Sequence, residues 1–165
     1  MLTRIIAAAG VAFIAAAATP SSALAQAKLA GSNGSSEHTR QVLEAYWKNH
    51  DAKYVAEDAV FVMLPTGEEI RGREAIGKHI DAFYHGSLTA HAEVVDAIFS
   101  GTRGLLEAVV VGKHTGSFAG IPATGRDVKV PLAVSYDLEK GLIKRARIYL
   151  MVNVLLSQIG PSATK

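Results

Sequence analysis

From about residue 88 to residue 151 apolar and polar positions alternate with a period of two, as expected of strands with one sealed face. The clearest stretch runs from Leu105 to Tyr136, two such runs joined by residues 116–126 with Gly116, Gly120, Pro122 and Gly125. In the second run Val128, Val130, Leu132, Val134 and Tyr136 share one side, and Lys129, Ser135 and Asp137 the other. In the first, Leu106, Ala108, Val110 and His114 share the inner side. The connection is too long for a tight hairpin, so it either folds over something or spans strands of unequal length. Strands are predicted at 92–99, 105–115, 126–138 and 142–151.

The N-terminal half changes period. A helix is predicted over 36–50, with Ser36 as N-cap, a stripe of Val42, Ala45, Tyr46 and Asn49, and Leu43, Trp47 and His50 beside it. Residues 51–58 read as a short second helix or turn. Residues 59–64 form a strand that turns at Pro65-Thr66-Gly67 and pairs back over 68–71. A second amphipathic helix is predicted over 73–85, where Ile76, Ile80 and Phe83 share a face and Gly86 ends it. A short helix over 152–159 closes the chain before Gly160-Pro161. Helices first and a meander of long strands second give an α+β fold, helices packed on an antiparallel sheet.

The first residues belong to a different kind of sequence. Arg4 precedes an uncharged, Ala-rich run over 5–18, then Thr19-Pro20-Ser21-Ser22 and Ala23-Leu24-Ala25. This order predicts a secretory signal peptide over 1–25. The apolar run is shorter than the roughly 20 residues a membrane-crossing helix needs, so no membrane span is expected after cleavage. A flexible lead-in is expected over 26–35, the folded domain over 36–160 and a tail over 161–165, with a secreted or periplasmic location. Without Arg4, 16 basic residues face 15 acidic ones, a net charge of +1. That balance carries no nucleic-acid footprint.

The chain has no cysteine, which removes disulfides and thiolate chemistry together. Its six histidines, at 38, 50, 79, 85, 91 and 114, include no i, i+4 pair, so no metal site is expected. The glycines of 112–125 do not open a helix, so they form no phosphate cradle, and no cofactor is expected. No serine lies in a G-x-S-x-G elbow.

The block Ala56-Glu57-Asp58-Ala59-Val60-Phe61-Val62, followed by Pro65-Thr66-Gly67-Glu68-Glu69-Ile70-Arg71-Gly72-Arg73-Glu74-Ala75-Ile76, resembles the signature of SnoaL-like domains. These belong to the cone-shaped, NTF2-like superfamily of nuclear transport factor 2, ketosteroid isomerase and the SnoaL-type polyketide cyclases. Gly112 to Gly116 and Phe118 to Arg126 are similar to that family's middle hairpin, and Leu155 to Gly160 to its usual ending. The resemblance implies an NTF2-like cone, N-terminal helices on a curved antiparallel sheet. The chain departs from it between Asn49 and Tyr54, where the family has a longer second helix. By the resemblance, a ketosteroid isomerase's base, tyrosine and acid fall at Met63 (or Leu64), Leu43 and Val134. The cyclases' acid-base aspartate and partner histidine fall at Ile148 and Val134, and a further aspartate at Met151. None of these side chains exchanges a proton.

The pocket is therefore expected to be aliphatic, lined by Leu43, Trp47, Met63, Phe83, Val110, His114, Leu132, Val134, Ile148 and Leu150, and suited to a small apolar molecule. A cone filled by its own side chains is the bland alternative. The enzymatic alternative, an isomerase, polyketide cyclase or hydrolase, would use His114 with Tyr46 or His79, Tyr84 being a lesser candidate. On the outer face Val109, Val111, Ile143, Tyr149 and Met151 are expected to point away from the pocket, with Arg145 and Arg147 among them. A sheet apolar on both sides, with helices covering only one, predicts a homodimer through the outer face.

Overall fold

A computed structural model gives the structure of the protein and describes residues 20–160. The leader expected over 1–25 lies mostly outside the described residues, as does the tail over 161–165. In chain order the elements are helix α1 (Pro20–Asn49), a 3-10 turn (Ala52–Tyr54), strands β1 (Val55–Met63) and β2 (Glu68–Arg71) and helix α2 (Arg73–Asp81). A π-helical turn (Ala82–Ser87) leads into strands β3 (Leu88–Ser100), β4 (Arg103–His114), β5 (Asp127–Glu139) and β6 (Leu142–Leu150), and helix α3 (Val152–Ile159) ends the chain.

The six strands form one sheet in the order β2-β1-β6-β5-β4-β3. Neighbours along β3–β4–β5–β6 are antiparallel, as the meander predicts. β1 pairs parallel to β6, so the sheet is mixed at that one seam. The reason is topological: β1 enters from the helical layer and must lie beside the last strand, which runs the same way.

The helices attach through specific bonds. Ser36 and Thr39 clamp the β3–β4 turn, the Ser36 hydroxyl accepting from the Gly101 N–H at 2.7 Å and the Thr39 hydroxyl donating to the Gly101 carbonyl at 2.8 Å. Ser36 is therefore not where α1 starts. The helix begins at Pro20 and includes residues 26–35, expected to be a flexible lead-in. Alanine, lysine and glutamine in that stretch carry high helix propensity. Over 51–58 the expected second helix reduces to one 3-10 turn, capped by the Asp51 carboxylate accepting from the Lys53 N–H at 2.9 Å. β1 follows at once with Val55, four residues earlier than predicted. The Arg73 guanidinium ties α2 to β1, donating to the Val55 carbonyl and the Glu57 carboxylate, each at 2.6 Å.

One core lies between the helices and the concave face of the sheet. Leu106, Ala108, Val110, Val128, Val130, Val134 and Tyr136 are buried on that face, with Leu43, Tyr46, Ile76 and Leu155 opposing them. Ile143, expected on the outer face, is fully buried. The pairing of β5 with β6 slips between Asp137 and Leu138, with one extra residue on β6, and that bulge brings Ile143 to the same side as Ala146 and Ile148.

Candidate functional site

The concave face and the helices border a small, partly open hollow with a free volume of about 70 Å³. Its sheet wall is aliphatic: Met63 from β1, Leu106 and Val110 from β4, Leu132 and Val134 from β5, Ile148 and Leu150 from β6. Its helical wall is mostly aromatic and polar: Tyr46 and Trp47 from α1, His50 just past it, His79 from α2, Phe83 and Tyr84 from the π-turn, with Ile80 of α2 among them. Tyr136 of β5 joins this second set, its ring 6.4 Å from that of Tyr46 and 6.1 Å from that of Trp47. No aspartate or glutamate lines the hollow among the described residues.

Two backbone irregularities shape the helical wall. His50 follows the last turn of α1 in the left-handed region, φ 51°, its N–H donating to the Tyr46 carbonyl at 2.7 Å. That is the position where a helix normally ends on glycine, so a histidine there is strained. The second irregularity is the π-turn, which interrupts the helix predicted to continue to 85 and turns Tyr84 inward. Together they stack the His50 imidazole on the Tyr84 phenol, ring centres 4.9 Å apart and planes 21° apart. Tyr46 meets the same imidazole edge-on at 5.2 Å.

Burial sets the protonation of this wall. It holds the His50 pKa down to about 4, with repulsion from His85 adding to the effect, so the imidazole is neutral at ordinary pH. Burial pushes the Tyr84 phenol up to about 12 and raises those of Tyr46 and Tyr136 as well. The Tyr46 and Tyr84 hydroxyls make no hydrogen bond to another described residue and stay neutral, and both residues line the hollow. The Trp47 indole N–H is buried beside the Tyr136 hydroxyl.

Of the residues expected to line the pocket, Trp47, Met63, Phe83, Val110, Leu132, Val134, Ile148 and Leu150 converge on the hollow, as do Tyr46 and His79. Leu43 and His114 do not. Leu43 points instead at the start of β4, where its methyl fills the space that a side chain on Gly104 would need. His114 is on the inner face, as parity predicts, but one strand-end too far along. Its Nδ1 is 3.0 Å from the Thr124 hydroxyl, and its ring is fully buried under the 115–126 connection. That connection folds over the π-turn: the Thr115 and Gly116 N–H groups donate to the Ser87 carbonyl, and Phe118 packs edge-on against Phe83. His50 and Tyr136 were not singled out as site residues from the sequence. Tyr136 shares the parity of Val134, but His50 carries no signal beyond its place beside the apolar stripe of α1.

A family model for the SnoaL-like polyketide cyclase matches residues 37–159. Among solved structures, a SnoaL-like polyketide cyclase candidate from Jannaschia sp. CCS1 is similar at 15% identity and a TM-score of 0.70, over 79% of this chain and 96% of that one. A second cyclase candidate, from Xanthomonas campestris pv. campestris, is similar at 20% identity and a TM-score of 0.69, over 76% and 99%. A protein of ketosteroid isomerase-like fold from Catenulispora acidiphila, crystallised with trimethylamine, is similar at 22% identity and a TM-score of 0.58, over 77% and 96%. At these identities the likeness establishes the NTF2-like fold. None of the curated proteins matches the chain.

Proposed function

The chain belongs to the SnoaL-like polyketide cyclase family, and on that premise we propose that it is a receptacle for a small, mostly apolar molecule and lacks the family's acid-base set. One observation carries this reading: the sheet wall of the hollow is aliphatic at Met63, Val134 and Ile148, the positions where the resemblance would put proton-transferring groups. A charged transition state in such a hollow would lose its hydration without a partner, whereas an apolar ligand gains from burial. The neutral Tyr46 and Tyr84 hydroxyls supply donors for one carbonyl or hydroxyl oxygen, the few polar anchors that such pockets use.

A second reading, an isomerase- or cyclase-type enzyme, is favoured by the convergence of His50, His79 and Tyr46 on the hollow. It would use His50 in place of His114, which the 115–126 connection covers. An imidazole with a pKa near 4 is a poor match for proton abstraction at neutral pH, so this reading ranks second.

We further propose export of the mature chain from Gln26, supported by the leader's order of residues, and pairing of two copies through the outer face of the sheet. Tyr149 and Met151 are about half exposed on that face. The charged group beside them is already satisfied internally, Asp137 bridging Arg103 at 3.0 Å and Arg147 at 2.7 Å.

Mass spectrometry under native and denaturing conditions, on protein purified from its own host, tests the receptacle. A small molecule released only on denaturation is the expected result. A chain that co-purifies with nothing, and takes up no uncharged apolar dye when offered one, counts against it.

A further inference from the structure

The hollow is too small as it stands for its proposed task. About 70 Å³ is well under the roughly 300–1,000 Å³ of ordinary ligand pockets. A larger groove of about 630 Å³ opens on the outside, between the end of α1 and β3. The two spaces share a wall that includes Trp47, His50, Tyr84 and Ala92. That shared wall includes the stacked rings of His50 and Tyr84.

Building on the receptacle reading, we propose that the His50 ring is a movable partition between hollow and groove. Together the two spaces take one elongated amphipathic ligand, its apolar body in the hollow and an anionic head in the groove beside Lys48.

The imidazole has no hydrogen bond to another described residue, and ring contacts alone hold it. Its backbone is strained where glycine would be relaxed, as is common of segments that must move. Swinging it outward joins the hollow to the groove without disturbing the sheet. Among the described residues, Lys48 is the one lysine or arginine that lines the groove. The Glu44 carboxylate faces Arg40 at 3.7 Å and His91 faces the Glu93 carboxylate at 3.6 Å, while Lys48 has no ion-pair partner among the described residues, and His85 adds a further donor. The negative end of the α1 dipole opposes an anion here, but it is worth less than a full charge and Lys48 offsets it. The head is therefore a carboxylate or sulfonate, not an ammonium.

Two dyes that share an apolar body separate the possibilities: uncharged N-phenyl-1-naphthylamine and anionic 1-anilinonaphthalene-8-sulfonate. Each is titrated into the full mature chain, followed by fluorescence and stopped flow. His50→Gly removes the ring and relaxes the backbone, so its melting temperature is expected to match or exceed that of the unaltered chain. Its association with the uncharged dye should quicken by about two- to tenfold, the equivalent of one ring stack. Lys48→Ala should weaken the anionic dye by about two- to fivefold and leave the uncharged one unchanged. Equal association rates in His50→Gly and the unaltered chain overturn the partition. An equal effect of Lys48→Ala on both dyes overturns the anionic head. If neither dye binds any of the proteins, the receptacle reading itself fails, and the partition with it.

Discussion

His114 Nδ1 and Thr124 Oγ1 meet at 3.0 Å across the mouth of the 115–126 connection, closing the end of the cone and not lining its hollow. The other ring nitrogen, Nε2, is buried without a partner. Backbone bonds flank the pair, the His114 N–H donating to the Arg126 carbonyl and the Gly125 N–H to the His114 carbonyl, each at 2.9 Å. Thr124→Val would leave both ring nitrogens unsatisfied. A loss of about 1–3 kcal/mol in urea denaturation is expected, with apolar dye binding at the hollow unchanged. If dye binding falls while stability holds, His114 acts on the ligand after all.

The half-buried imidazole of His50 makes stability depend on pH. Its pKa is about 4 in the folded chain, against about 6.5 when exposed, so the folded state resists protonation. Its contribution is complete above pH 6.5, shrinks as pH falls from there towards 4, and is gone below that range. The loss is of order 1–3 kcal/mol, allowing for partial exposure. Denaturation midpoints measured across this window should slope in the unaltered chain and lose part of that slope in His50→Gly.

Gly116 is held where no side chain fits. A Cβ there would run into the backbone carbonyl of Gly86 in the π-turn, with Ser87 close behind. Both obstacles are backbone, so neither can swing aside. Gly116→Ala is expected to cost about 3 kcal/mol or more, or to detach the connection from the π-turn. Hydrogen exchange at the Thr115 and Gly116 amides distinguishes the two outcomes.

Leu132 is on the aliphatic wall and is nearly buried. Leu132→Ala should destabilise the fold by about 2–5 kcal/mol and enlarge the hollow. Uptake of the uncharged dye should rise despite the lost stability. A variant that loses stability and gains no uptake would mean that the walls collapse inward, as in a cone packed solid.

Light scattering on the mature protein at micromolar concentration should give the mass of two chains. Tyr149→Asp, on the exposed outer face, should shift it to one while leaving circular dichroism unchanged. A single-chain mass for the unaltered protein removes the proposed pairing.

Much of the fold is set by local periodicity. The bounds of β2 and α3 agree with the predicted 68–71 and 152–159, and the inward set from Val128 to Tyr136 is buried as its alternation requires. Such patterns are legible because each residue's face follows from its neighbours'. The aliphatic lining from β5 and β6 is legible for the same reason.

Tertiary structure decided what depends on distant pairing. The bulge between Asp137 and Leu138 turned Ile143 inward, the parallel seam placed β1 beside β6, and the folded-over connection took His114 away from the hollow. The partner of His50 was likewise beyond the sequence: a left-handed residue and a π-turn 34 positions apart deliver two rings to one stack. Periodicity assigns a side chain to a face, whereas its neighbours across the cone depend on where separate elements end, and only their mutual packing fixes that.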